Sequence, residues 1–276
     1  MSEPVGLAFK NYEIEELADV YFFRPAGMIF ARAARALRLT PTTVTIAGGV
    51  VGVVGGAMLY SDRLAFAGFV VIILHSVLDS SDGQLARMTG QVTELGSMLD
   101  GIGGYVTHSA AYIAIGAAMM HAGVGGGAIA LMLGAGVCSI LHAQMYDYHR
   151  QSYARVAIKG LPPVAAPKSI GVLRFYERMQ RIISGLHPRV EEAIAARAGH
   201  GAVRPDDRKR YRDMFYWPVR GWNALGDNTR FYAFGVFAWL HRLDLYFLFV
   251  LVPMNVLFAA LWTIEFRADR RFLAGL

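Results

Sequence analysis

One cysteine in 276 residues leaves no internal disulfide framework to read, and Cys138 lies in an apolar run where a small packing residue is the ordinary use. Charge is scarce as well. Asp, Glu, Lys and Arg make up only 17% of the chain, against about 25% in an ordinary soluble domain, while 55% of residues are apolar. With a mean hydropathy of +0.36, this composition excludes an ordinary soluble domain. A cleavable leader is not expected either. The first 20 residues carry Glu3, Glu13, Glu15, Glu16 and Asp19 in place of a basic start and an apolar core. Anionic lipid headgroups and phosphate ligands account for the net charge of +6, so no nucleic acid is expected as a partner.

What the chain has in abundance is apolar runs. A helix needs about 20 residues to cross roughly 30 Å of hydrocarbon. Six stretches qualify, at 43–60, 64–81, 97–120, 124–145, 228–241 and 245–264, the fifth crowded by Arg230 and His241. The expected fold is all-α and integral to the membrane, with six transmembrane helices. Lys10, Arg24, Arg32, Arg35 and Arg38 precede the first span, the stretch between spans four and five is dense in Arg and Lys, and Arg267, Arg270 and Arg271 follow the last. The loops on the other side are short, with Arg63 in one and Arg242 in another. Basic loops stay on the cytoplasmic side, which places both termini and the long loop there.

Four segments follow from this reading: 1–42 at the interface, 43–145 with the first four spans, 146–226 as a cytoplasmic helical excursion, and 227–276 with the last two spans and a tail. In the first, Arg32, Arg35 and Arg38 recur at helical spacing beside apolar residues, as in a helix lying in the headgroup plane. Pro41 suits the first turn of the helix that enters the membrane. Gly48, Gly52 and Gly56 then recur every four residues, a spacing that lets helices approach closely. In the excursion, 161–167 is a linker-like break with prolines, 170–198 shows helical spacing with mixed charge, and 204–212 is strongly hydrophilic. That excursion reads either as a solvated helical region near the membrane or as a cationic lid over an anionic headgroup.

Chemistry concentrates between Asp79 and Asp100. Ionisable residues at the ends of spans are costly unless paired or functional. Asp79 and Asp82 stand at i,i+3, so both carboxylates face one side of a helix. Asp100 opens the next span and can face them across the intervening turn. Three converging carboxylates repel each other unless a cation sits between them, and hard oxygen ligands suit Mg2+, Mn2+ or Ca2+. The bland alternative is that they pair with Arg87 and anchor helix ends. His75, one turn before Asp79, reads as a polar group hydrogen-bonded inside the bundle.

Asp79, Asp82, Gly83, Ala86, Arg87, Gly96 and Asp100 fit the pattern D-x2-D-G-x2-A-R-x8-G-x3-D at every spacing. This resembles the active-site motif of the CDP-alcohol phosphotransferases, also called CDP-alcohol phosphatidyltransferases. Thr40-Pro41 and Val44-Thr45 resemble the family's entry into its first span. The resemblance covers roughly 24–145 and 228–265, and it implies the following. Asp79, Asp82 and Asp100 would hold Mg2+ or Mn2+. Asp82, Gly83, Ala86, Arg87, Gly96 and Thr45 would contact the nucleotide, with Gly96 also securing close packing of the second and third spans. CDP-diacylglycerol or a similar CDP-alcohol would be the donor, a polar alcohol the acceptor, and CMP the leaving product of phospholipid head-group synthesis. The protein would be a homodimer in a bacterial inner membrane, its active site cytoplasmic.

One position departs from the family pattern. The fourth aspartate, metal ligand and general base for the acceptor hydroxyl, belongs one turn after Asp100, and Gly104 stands there. General-base assistance is worth about 10²–10⁴ in rate. His108, one further turn along, and Asp147, at the cytoplasmic end of the fourth span, are the candidate catalytic replacements. Otherwise the acceptor arrives already ionised, or the chain is an inactive relative that binds nucleotide-lipid or partner proteins.

Overall fold

The protein was analysed as a computed structural model that describes residues 12–163, 172–199 and 201–276, without the side chains at 94, 95, 97, 98, 100, 101 and 172–177. The described residues are helical, with no strand among them. Four stretches are long and apolar enough to cross a membrane: Pro41–Met58, Asp62–Thr89, Gly126–Ile158 and Leu243–Ala274. The third expected span falls within the 28-residue helix Glu94–His121, part of which lies outside the described side chains. The fifth falls on the 13-residue helix Asp227–Trp239. At 1.5 Å per residue that helix is about 20 Å long, short of a full crossing by itself.

The chain divides into two compact units, Met1–Val137 with Asp227–Leu251, and Cys138–Gly226 with Val252–Leu276. The first contains α1 (Arg24–Ala36), α2 (Pro41–Met58), α3 (Asp62–Thr89), α4 (Glu94–His121), the start of α5 (Gly126–Tyr153), α9 (Asp227–Trp239) and α10 (Tyr246–Leu251). Thr40 caps α2, its Oγ1 accepting from the Thr43 N–H at 3.2 Å, with Pro41 in the first turn. α2 packs on both α3 and α4. Its glycines make that possible: a Cβ at Gly56 would stand 2.8 Å from the Ala111 nitrogen, and one at Gly48 would press on the Leu78 Cβ at 3.3 Å. His75 ties the three helices together. Its Nδ1 lies 2.9 Å from the Gly48 carbonyl and its Nε2 3.2 Å from Thr107 Oγ1.

α1 lies on α3 through Gly27, Ala31 and Ala34, while Arg32 and Arg35 stay exposed. Gln84 fixes the crossing by donating to the Arg24 carbonyl at 3.0 Å. The outward faces are apolar: Ile46, Val50, Val53 and Val54 on α2 are exposed at helical spacing. An exposed apolar row of this size is a lipid-facing or interaction surface rather than a water-facing one.

The second unit contains the end of α5, α6 (Val172–Ile183), α7 (His187–Ala198), α8 (Pro205–Trp222) and α11 (Pro253–Ala274). The helical spacing expected over 170–198 is interrupted. Gly185 takes φ +67° between α6 and α7, a left-handed conformation that glycine adopts without strain. Part of the expected break at 161–167 lies outside the described residues. The hydrophilic run 204–212 opens α8, which buries Tyr211, Phe215, Val219 and Trp222 along one face.

Candidate active site

The motif occupies the last turns of α3. Asp79 is half-buried and Asp82 is only 3% exposed. Gly83, Ala86 and Arg87 are half-buried beside them. A Cβ on Gly83 would meet Arg87 Nη1 at 3.4 Å, so glycine leaves the backbone open next to that guanidinium. Gly90 then ends the helix at φ +70°, a left-handed cap that turns the chain back.

α4 starts three residues later. Thr93 caps it by accepting from the Gly96 N–H at 3.0 Å, and a Cβ on Gly96 would crowd the same Thr93 oxygen at 3.0 Å. Gly96 therefore serves the start of its own helix. Asp100 lies on α4 near that start, and its side chain is outside the described residues. Thr45, the other expected nucleotide contact, turns its hydroxyl back to the Pro41 carbonyl of α2 at 3.1 Å.

Around Gly104 the structure assembles residues that no motif names together. Among the described residues, a Cβ on Gly104 would come within 4 Å of Oδ2 of Asp227, at 4.0 Å. Asp227 is the first residue of α9, and α9 packs against α3. Its carboxylate is 57% exposed, and its Oδ1 is 3.3 Å from Nη2 of the buried Arg230. His108 donates from Nδ1 to the Gly104 carbonyl at 3.0 Å, which directs Nε2 to Asp227 Oδ1 at 4.0 Å. The imidazole is held flat on Phe231, centroids 4.6 Å apart and planes 19° from parallel.

His108 is thus beside the vacant motif position, as its spacing suggested. Asp227 went unread in the sequence; the signal was an acid opening an apolar segment, followed at i+3 by an arginine. Asp147 belongs to the second unit, half-buried on α5.

The second unit has its own buried polar cluster, formed by His149, His187, Glu265 and Asp269. Burial by itself lowers the His187 pKa, but the Asp269 hydrogen bond and the nearby carboxylates outweigh it and raise it to about 9.

Comparison with known proteins bears on the segment that carries the motif. Residues 38–165 match the family model described as CDP-alcohol phosphatidyltransferase. Four stretches of the described residues, three of them inside this segment, are long and apolar enough to cross a membrane, which supports a membrane protein. Over 89 residues the chain is 33% identical to the phosphatidylinositol phosphate synthase of Mycolicibacterium smegmatis (strain ATCC 700084 / mc(2)155). That stretch is 30% of this chain and 40% of the relative, so the chain spans less than half of the relative's length. No solved structure is a significant match.

Proposed function

We propose that this protein is a membrane CDP-alcohol phosphotransferase that moves a phosphatidyl-type group from CDP-diacylglycerol, or a similar CDP-linked alcohol, to a polar alcohol and releases CMP. The observation that carries this is the pair Asp79 and Asp82 at the end of α3, one of them 3% exposed, inside a family-matched segment. Two carboxylates one turn apart form a hard oxygen donor set, which fits Mg2+ or Mn2+. Asp100, on the facing helix, is the third ligand in this reading. When bound, such an ion neutralises pyrophosphate charge and stabilises the charge developing at phosphorus.

The chain's own residues supply the rest. Arg87 is placed to pair with a phosphate oxygen or to orient an aspartate. Gly83 and Ala86 let the nucleotide come close to the backbone. The acceptor oxygen bonds to the lipid-side phosphorus, the bridging oxygen leaves with CMP, and the hydroxyl proton passes to a base.

We assign that base to Asp227. Its Oδ2 lies 4.0 Å from a Cβ added at position 104, and at 57% exposure the carboxylate is reachable by an acceptor. His108 Nε2 is buried 4.0 Å from Asp227 Oδ1, which suits a positioning role through the electrostatics of the carboxylate rather than a direct hydrogen bond. Arg230 fixes the carboxylate from the other side.

The name of the mycobacterial relative puts an inositol phosphate first among the acceptors to try. We also read six spans, cytoplasmic termini and site, a bacterial inner membrane and a homodimer. Purified protein should release CMP from CDP-diacylglycerol only with Mg2+ or Mn2+ and a suitable alcohol. Absence of CMP with every acceptor and both metals would overturn the assignment. Nucleotide binding without CMP release would instead match the non-catalytic reading that Gly104 suggests.

A further inference from the structure

We propose that the second unit holds a divalent transition-metal ion, zinc by its chemistry, between His149 on α5, His187 on α7 and Glu265 on α11. This site is separate from the motif aspartates and does not depend on the activity proposed above. The three residues offer ligand atoms within 4.8 Å of one another, and all three side chains are at most 2% exposed.

The distances match a metal's coordination edges. Zinc bonds to nitrogen and oxygen are about 2.0–2.2 Å, so two ligands of a tetrahedron lie about 3.4 Å apart. Glu265 Oε1 lies 3.3 Å from His149 Nδ1 and 3.5 Å from His187 Nδ1. His149 Nδ1 and Glu265 Oε1 form a buried pair at 3.3 Å, outside good hydrogen-bond geometry. Two such facing atoms need either a shared proton or a cation between them.

The surroundings fit ligands already oriented from outside. Metal-bound histidines normally use the second ring nitrogen on an oxygen partner. His187 Nε2 has Tyr211 Oη at 2.9 Å. Trp222 Nε1 donates to Glu265 Oε2 at 3.3 Å, leaving Oε1 turned inward. Asp269 Oδ1, 2.8 Å from His187 Nδ1, would rotate to become the fourth ligand. Two imidazoles in the donor set favour zinc over magnesium. Such an ion would pin three helices that are far apart in sequence.

The rival occupant is a set of protons, with the imidazoles charged against the two carboxylates. The full-length protein, purified in detergent and dialysed against metal-free buffer, is analysed by elemental mass spectrometry. The expected result is about one equivalent of zinc per chain, lost in His149→Gln and Glu265→Gln and kept in Asp79→Asn. Chelation should lower the wild-type thermal midpoint and zinc should restore it, a readout that needs no variant. Cobalt exchange should give the visible absorption of a tetrahedral site. Zinc-free wild type that neither takes up cobalt nor responds to chelator would overturn the proposal, as would full zinc retention in folded His149→Gln.

Discussion

A Cβ added at Gly104 would lie 4.0 Å from Oδ2 of Asp227, the first residue of α9. In the proposed site that carboxylate replaces the one absent from α4. Asp227→Asn should lower CMP release by about 10²-fold or more, the range of general-base catalysis. Nucleotide binding should be preserved. A variant that keeps full turnover would show that the base lies elsewhere.

Restoring the family residue should not help the wild type. Gly104→Asp sets two carboxylates side by side, where like charges repel, so turnover should stay level or fall. In the Asp227→Asn background the same change should raise it, by at least about tenfold. A gain from Gly104→Asp alone would mean that the site is crippled rather than rebuilt. The four variants form a double-mutant cycle, which isolates the coupling of the two positions.

His108 acts through Asp227 in this reading. His108→Gln should lower kcat more than it raises KM and should displace the acidic limb of the pH–rate profile. A change confined to the thermal midpoint would reduce His108 to a packing residue stacked on Phe231.

Packing in the first unit makes a separate prediction. A Cβ on Gly52 would overlap Thr107 Oγ1 and stand 3.0 Å from the His75 ring. Gly52→Val should therefore disturb the His75 bridge and destabilise the protein by about 1–3 kcal/mol, as overpacked cores do. Gly49, whose added Cβ would meet no atom within 4 Å among the described residues, should accept alanine. Detergent-solution melting curves compare the two, and equal midpoints would contradict the packing described.

Much of this molecule was legible before folding. Asp79, Asp82, Gly83, Ala86 and Arg87 carry a fixed spacing within a few helical turns, so their proximity needs no tertiary information. The role of His75 as an internal hydrogen-bonding group could also be read, since a polar ring deep in an apolar span must find partners. Asp227 could not. Its meaning depends on α9 packing back against α3 from more than a hundred residues away, and local pattern is silent about such contacts. His149, His187 and Glu265 escaped for the same reason. Gly96 has a local role that the motif does not name, since its amide is used by the Thr93 cap. The break at Gly185 was hidden because its flanks keep helical spacing, and one left-handed residue suffices to stop a helix.

The most direct measurement is CMP release from CDP-diacylglycerol in detergent micelles, with inositol phosphate and other alcohols as acceptors, for wild type and Asp227→Asn side by side. Metal-dependent CMP release by the wild type, reduced about a hundredfold or more in Asp227→Asn, is the predicted result. No CMP from the wild type with any acceptor, or equal rates in the two proteins, would contradict it.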